Sequence, residues 1–372
     1  MIWFLSPLAL SGCWDINEPE QMVYANGMGA DYKDDRYIVY IQLIDLGTSA
    51  KPEKGGKSTE PAAEIVWGTG KDIDEAIFTI YTTAKRRIYW GHLSYMVLTE
   101  TALNKGSLQQ MIDITDRYYE TRYHLKIYAT KVPLEKLFQL ATYPSRLSDP
   151  ESAYEQSSLI KPVTMREVIL AIDEAEQEAV LPMVSTENNH MEQDQVKTGG
   201  IKVNEIAFVT AHHFKGFLSE KESVGYRWMR KETNRAVIPV DKDKKAAVSI
   251  VIKELKQTIT PRLSNAGNAR FEIEIQASAT VSALYQPVTI SYLNRELSKL
   301  IKKEVKLTYL AALKRGVDIY RLSETLYRKD IKAWRKIARD GKIPLHEDSI
   351  SSLIVIVELK SSNQLKMTPS IE

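Results

Sequence analysis

Apolar and polar positions change period several times along the chain, and each change predicts an element. Residues 21–31 and 37–43 alternate and are separated by a charged turn at 31–36, which predicts a β-hairpin. Residues 47–63, rich in Gly, Lys, Pro and Ser, are expected as a loop. Glu64–Gly70 is expected as a further strand, with Asp72 capping the helix that follows. Ile73, Ala76, Ile77, Ile80, Tyr81 and Ala84 share one face at helical spacing, so 73–85 predicts an amphipathic helix. Residues 86–92 are expected to turn out of it into a buried strand at 93–99. A helix over 103–118, a strand over 124–130 and a helix over 133–140 follow, an order of the mixed α/β class.

Beyond a Pro- and Ser-rich turn region, an amphipathic helix is expected over 164–175, and the polar stretch 184–197 reads as a linker. Two strands, 201–213 and 215–218, lead to Ser219 and Glu222, which are spaced as a capping box, and Trp228 closes that unit. The last third alternates over 246–260, turns at 261–269 and returns over 271–282, which predicts adjacent antiparallel strands. Ile290, Leu293, Leu297, Leu300, Ile301, Val305, Tyr309 and Leu313 then mark a long helix within 287–316. Shorter helices over 322–339 precede a terminal strand at 350–360. The predicted fold class is α+β: three mixed α/β domains at 13–183, 184–240 and 241–372, the last an antiparallel sheet covered by a long helix.

Composition narrows the function. A chain of 372 residues implies about two or three domains. A hydrophobic content of 44% with 26% charged residues is ordinary for a globular protein. The net charge of +2 argues against nucleic acid as a partner. A single cysteine excludes an internal disulfide framework and any Cys-rich metal site. Past residue 13 no stretch approaches the roughly 18 consecutive apolar residues of a spanning helix.

No catalytic constellation is expected: the chain carries no Walker loop, GxSxG elbow, HExxH or nucleotide-binding glycine triplet. His212 and His213, read as strand neighbours, point to opposite faces and so do not chelate one ion, and no metal site is expected. Arg86, Arg87 and His92 surround Tyr89 and Trp90, a concentration that suits an anion or a partner surface. The same arginines also suit the end of a helix, where they meet its dipole and unpaired carbonyls. Asp116, Arg117, Glu120 and Arg122 read as a salt-bridge network. Residues 51–57 and 241–245 read as solvated charge runs, as do Lys299, Lys302, Lys303 and Lys306 on the long helix.

The N-terminus carries the most specific signal. A short apolar run at 2–10 ends in Leu10-Ser11-Gly12-Cys13, the pattern of a bacterial lipobox. Residues 1–12 are then a signal peptide, and Cys13 carries a diacylglycerol thioether with a further acyl chain on its amine; no other cofactor is expected. No Lys or Arg precedes the run, so the expected positive n-region is reduced to the amino terminus.

Motifs in the same order as a known family run through nearly the whole chain. They are Ser11-Gly12-Cys13-Trp14-Asp15 with Glu18; Gly27-Met28-Gly29-Ala30-Asp31; Glu75-Ala76; Arg86-Arg87-Ile88-Tyr89-Trp90-Gly91-His92-Leu93; Arg117 and Arg122; and Leu181-Pro182. Ile206-Ala207-Phe208, Gly216-Phe217-Leu218-Ser219-Glu220 with Glu222, Gly316-Val317-Asp318-Ile319-Tyr320 and Trp334 continue the series. The sequence resembles the Ger(x)C family, the lipoprotein C subunits of nutrient germinant receptors in endospore-forming bacteria. It departs from the family at Leu322-Ser323 and at 358–361, where glycines are usual. The resemblance implies a non-catalytic lipoprotein of three mixed α/β domains on the outer face of the spore inner membrane, beside the receptor's A and B subunits. It assigns Cys13 as the acylated residue and no catalytic residues. The competing expectation is a solute-binding lipoprotein that captures a germinant in a cleft between domains.

Overall fold

A computed structural model describes residues 22–44, 64–118, 120–141, 145–157, 159–173, 177–193, 196–233, 235–263 and 267–360. The signal peptide at 1–12, Leu10, Ser11, Gly12, Cys13 and the loop at 47–63 lie outside the described residues.

The expected hairpin is β1 (Met22–Lys33) with β2 (Arg36–Ile44), paired antiparallel. Asp34 and Asp35 close it with φ of 51° and 60°, the turn whose twist matches that of paired strands. Next come β3 (Glu64–Gly70), α1 (Ile73–Thr83), β4 (Arg87–Tyr89), β5 (Tyr95–Thr99), α2 (Glu100–Asn104), α3 (Ser107–Arg117), β6 (Lys126–Thr130) and α4 (Leu134–Leu140). Asp72 caps α1 by accepting from the Glu75 backbone N–H at 2.8 Å. Two details differ from the pattern reading. Arg87–Tyr89, expected within a turn, is a short strand parallel to the start of β1. The helix expected over 103–118 is two helices, because Gly106 takes a φ of 77° between them.

After α5 (Pro150–Gln156) and α6 (Met165–Ile172), the chain enters β7 (Ala179–Gln193), β8 (Val196–Val209) and β9 (Phe214–Leu218). The first sheet runs β3-β2-β1-β5-β6-β7-β8-β9, with β4 also on β1. Its centre, β1-β5-β6-β7, is parallel, and β5 is buried along its whole length. Burial on both faces explains the continuous apolar run of β5. On one face Met28, Ile77, Ile80, Met96, Met111 and Val168 form a core; on the other Tyr95, Tyr128, Leu137 and Phe138 form a smaller one.

Of the stretch 184–197, read as a linker, residues 184–193 belong instead to β7 and 196–197 to β8, paired antiparallel. Its polar residues carried no burial period, but a long two-stranded ribbon satisfies its own backbone without one. Strands β8 and β9, expected in a separate middle unit, extend the first sheet. Alternation along β8 is the cause: Ala207 and Val209 pack into the first core, Ile206 and Phe208 into the core of the C-terminal half.

That half contains α7 (Glu220–Ser223), a 3₁₀ turn (Val224–Met229), β10 (Ala236–Lys242), β11 (Lys245–Leu263), β12 (Ala269–Leu284), α8 (Ile290–Leu313), α9 (Leu322–Lys329), α10 (Ile331–Ile337) and β13 (Ile350–Leu359). The sheet order is β10-β11-β12-β13. Strands β11 and β12 are antiparallel as expected, β10 is a further antiparallel strand that was not anticipated, and β13 joins parallel to β12, so the sheet is not wholly antiparallel. The long crossover through α8 returns the chain to the same edge in the same direction, which demands a parallel partner. Leu293, Leu297, Ile301, Val305 and Tyr309 of α8 are buried on this sheet, whereas Ile290, expected in the same stripe, is exposed in the first turn. Strand β11 also runs through Pro261 to Leu263, where a turn was expected. Past Ile252 it no longer pairs with β10, so a residue without an N–H is tolerated there.

Candidate functional site

Two concave regions gather charged and aromatic side chains, and the first contains Arg86, Arg87, Trp90, Arg117 and Glu120 from the sequence reading. The first is a groove of about 670 Å³ where α1 and α3 end, lined by Tyr81, Lys85, Arg86, Arg87, Trp90, Arg117, Tyr118 and Glu120 among others. Trp90 is the frame of this groove rather than its surface: it is 4% exposed, and its indole N–H donates to the Tyr81 hydroxyl at 2.8 Å. Its ring lies 5.7 Å from that of Tyr118. Burial pushes the Tyr81 phenol far up, so it stays a neutral partner.

The charges of the groove are layered. Glu120 is the inner one, 13% exposed, accepting from the Trp90 backbone N–H at 3.1 Å and lying 3.6 Å from Arg87. The cations are outside: the Arg87 and Arg117 side chains are 53% and 64% exposed, and Lys85 is exposed. Arg117 pairs with Asp74 at 3.0 Å, and Asp116 accepts from the Tyr123 hydroxyl at 2.5 Å. The network expected among Asp116, Arg117, Glu120 and Arg122 is therefore divided among several partners. His92 stands apart from the groove, with its ring 4.9 Å from Tyr24 and 6.0 Å from Tyr89.

The second region is a cleft of about 580 Å³ between the two halves, lined by residues of α6, the start of β7, the 3₁₀ turn and the loop into α9. Here opposite charges meet each other. Lys161 reaches Glu167 at 2.9 Å and Glu232 at 3.6 Å, and Arg230 reaches Glu232 at 3.4 Å. Glu324 takes Arg321 at 3.2 Å and Arg328 at 2.5 Å, while the buried Glu178 takes Lys342 from across the junction. Asp318 accepts the Leu322 and Ser323 backbone N–H groups at 2.9 and 2.7 Å and so opens α9. Burial pushes its carboxyl up to about 6, against the opposing pull of those two N–H donors.

Beside the cleft, within the C-terminal half, direct contacts lock the 3₁₀ turn onto α8. The Trp228 indole donates to Glu304 of α8 at 2.6 Å, Arg227 reaches the same carboxylate at 3.3 Å, and the Gly225 N–H donates to Thr308 at 2.9 Å. A side chain at Gly225 would place its Cβ 2.2 Å from the Glu304 carbonyl oxygen, so only glycine fits against α8. Ser219 and Glu222 form the expected capping box, and Arg315 approaches Glu222 at 3.5 Å.

His212 and His213, expected in a strand, lie in the turn that links β8 and β9, with ring centroids 6.4 Å apart. No group of three or more His, Cys, Asp or Glu suited to a metal ion occurs among the described residues. Sequence reasoning found Arg86, Arg87 and Trp90 but missed Tyr81 and Lys85, whose signal was their four-residue spacing at the end of the first helix. It expected a cleft between domains only in general terms and named none of its ion pairs, since residues from 161 to 342 meet there only through tertiary packing.

Residues 15–186 match the family described as "Spore germination protein N-terminal domain", and residues 204–349 match "Spore germination B3/ GerAC like, C-terminal". The chain belongs to the GerAC family of spore germination proteins. Among relatives, Spore germination protein KC of Bacillus subtilis (strain 168) is 23% identical over 365 residues, which is 91% of this chain and 88% of that protein. Spore germination protein B3 of the same organism is also 23% identical, over 82% of this chain and 80% of that protein. The crystal structure of the GerBC protein covers 92% of this chain and 99% of its own with a TM-score of 0.56 at 16% identity, a likeness of fold. Family membership makes this a spore-associated germination protein and a receptor subunit, not an enzyme. No helix among the described residues is long and apolar enough to cross a membrane.

Proposed function

We propose that the chain is the lipid-anchored C subunit of a nutrient germinant receptor, held on the outer face of the spore inner membrane beside its A and B subunits. The observation that carries this reading is Leu10-Ser11-Gly12-Cys13 ahead of a body that matches the family in both halves. Acyl chains on Cys13 supply the membrane attachment, since two or more chains exceed what stable anchoring needs. Tethering confines the subunit to two dimensions and raises its effective concentration near membrane partners, so modest interfaces suffice for assembly.

Direct capture of a germinant in the cleft is the weaker reading. Its lining charges already engage one another or Lys342, and Asp318 is committed to the start of α9. A Cys13→Ala chain is expected to leave the membrane fraction and to slow the spore's response to nutrients. Membrane retention with normal germination contradicts the anchor. Titration calorimetry of the same variant against nutrient germinants is expected to give no saturable heat; saturable binding favours the capture reading.

A further inference from the structure

The open edges of the two sheets are not alike. Strand β10, one edge of the C-terminal sheet, has seven residues, with Pro239 inside it and a register shift at Val240–Asp241. Past Ile252, where β11 has no β10 partner, Lys329 of α9 donates to the Ile259 carbonyl at 2.7 Å. In the first sheet β9 is five residues long with Gly216 at a φ of 103° inside it, and β3 ends on Gly68-Thr69-Gly70. Short length, proline, glycine, irregular register and a lysine over the edge all discourage a strand from pairing with another chain.

Strand β13 lacks these devices over most of its length. Its ten residues hold no proline or glycine and no charge before Glu358, and among the described residues it pairs with β12 alone. Its one irregularity, opposite Phe271 and Glu272, is confined to its first residues. The Lys360 N–H donates to the Ala279 carbonyl at 2.8 Å, so even-numbered positions direct their backbone groups at β12. Alternation turns those of Leu353, Val355, Val357 and Leu359 to the open side. Ser298 of α8 reaches the Val355 carbonyl there at 3.4 Å, and a carbonyl keeps a second lone pair. Side chains alternate too: Val355 and Val357 join Leu293 and Leu297 of α8 in the core, while Ile354 and Ile356, on the other face, are 49% and 51% exposed.

This strand is its own complement. Two copies laid antiparallel about a two-fold axis at Val355 set Leu353 opposite Val357 and Val355 opposite itself, so the open backbone groups meet in hydrogen-bonded pairs. The same register sets Ile354 of each copy opposite Ile356 of the other, in the pairs where side chains come closest. Ser352 then faces Glu358, and no like charges are opposed. A two-fold contact of this kind uses one patch on both partners. We propose that β13 pairs with β13 of a second copy in this register, joining the two C-terminal sheets into one and making the protein a homodimer. The proposal goes beyond the receptor reading and does not depend on the anchor at Cys13.

The test uses the full chain carrying Cys13→Ala, which removes its only thiol. Sedimentation equilibrium is expected to give twice the 42.3 kDa of one chain. Ile354→Lys with Ile356→Lys brings like charges face to face and is expected to return the mass to that of one chain with the circular-dichroism spectrum unchanged. Val237→Lys, at a position 51% exposed on the β10 edge, is expected to leave the dimer intact. Oxidation reads the register. Chains with Ile354→Cys mixed with chains with Ile356→Cys are expected to form a covalent dimer, since directly opposed Cβ atoms lie about 5 Å apart. Neither variant alone is expected to do so, because its two thiols sit on a diagonal of about 7–8 Å, beyond the reach of a disulfide.

A single-chain mass throughout a concentration series would overturn the proposal, as would a dimer that survives the paired lysine substitutions or is lost with Val237→Lys. Cross-linking as strong in either cysteine variant alone as in the mixture would overturn it as well, by ruling out the register. A monomeric chain whose lysine variant no longer copurifies with spore membrane proteins would give the edge to a strand of another polypeptide, and the homodimer would fall.

Discussion

The groove and the cleft are similar in volume, yet they are built in opposite ways. In the cleft, carboxylates and cations come from both halves and meet one another, with Glu178 buried against Lys342 across the junction. In the groove, the acid is inside and the cations are outside, on the rim of one domain. Charge pairs that cross from one half to the other make a joint; the pairs of the groove, Arg87 with Glu120 and Arg117 with Asp74, stay within one domain. Residues of the first kind govern stability, since breaking a buried pair exposes the survivor to its full desolvation cost. Residues of the second kind are exposed and contribute little to folding.

Substitutions break or sharpen this contrast in a graded order. Trp228→Ala, in the C-terminal core beside the cleft, is expected to cost about 4 kcal/mol by chemical denaturation, because it empties a buried ring and strips Glu304 of one of its two donors. Gly225→Ala forces the 3₁₀ turn away from α8 and is expected to cost about 2 kcal/mol in the same assay. Asp318 adds a pH signature. A carboxyl raised to about 6 in the fold is protonated there at pH values where the unfolded chain has released its proton. Its contribution therefore weakens as pH rises from about 4 through 6 and is fully unfavourable above. Asp318→Asn, compared with the parent chain, is expected to fare about 2 kcal/mol better at pH 7 than at pH 4.5 in thermal or denaturant melts. Arg117→Gln, on the groove rim, is expected to change stability by no more than about 0.5 kcal/mol. A large loss there would show that the groove too is a structural joint.

Much of this architecture was legible as period. Strand alternation, the α8 stripe from Leu293 onward and the caps at Asp72 and Ser219 follow from local rules and hold in the fold, whereas Ile290 falls outside the buried stripe. What local rules missed depends on distant partners. The β7–β8 ribbon was hidden because its polar residues have no period, and the sharing of β8 between two cores follows only once both are in place. The groove was half legible. Arg86, Arg87 and Trp90 stood out as a cluster, but nothing in their order showed that Trp90 is internal or that His92 stacks elsewhere. The cleft needed three separated segments to converge, and a sequence contains no trace of that convergence.

The central claim is that the cleft is an internal joint between the two halves, closed by its own charges. A double-mutant cycle on Glu178 and Lys342, read in denaturant melts, tests it most directly. The account predicts that removing either partner costs about 3 kcal/mol and that the two losses are far from additive. Additive losses, or no loss from either change, would contradict it.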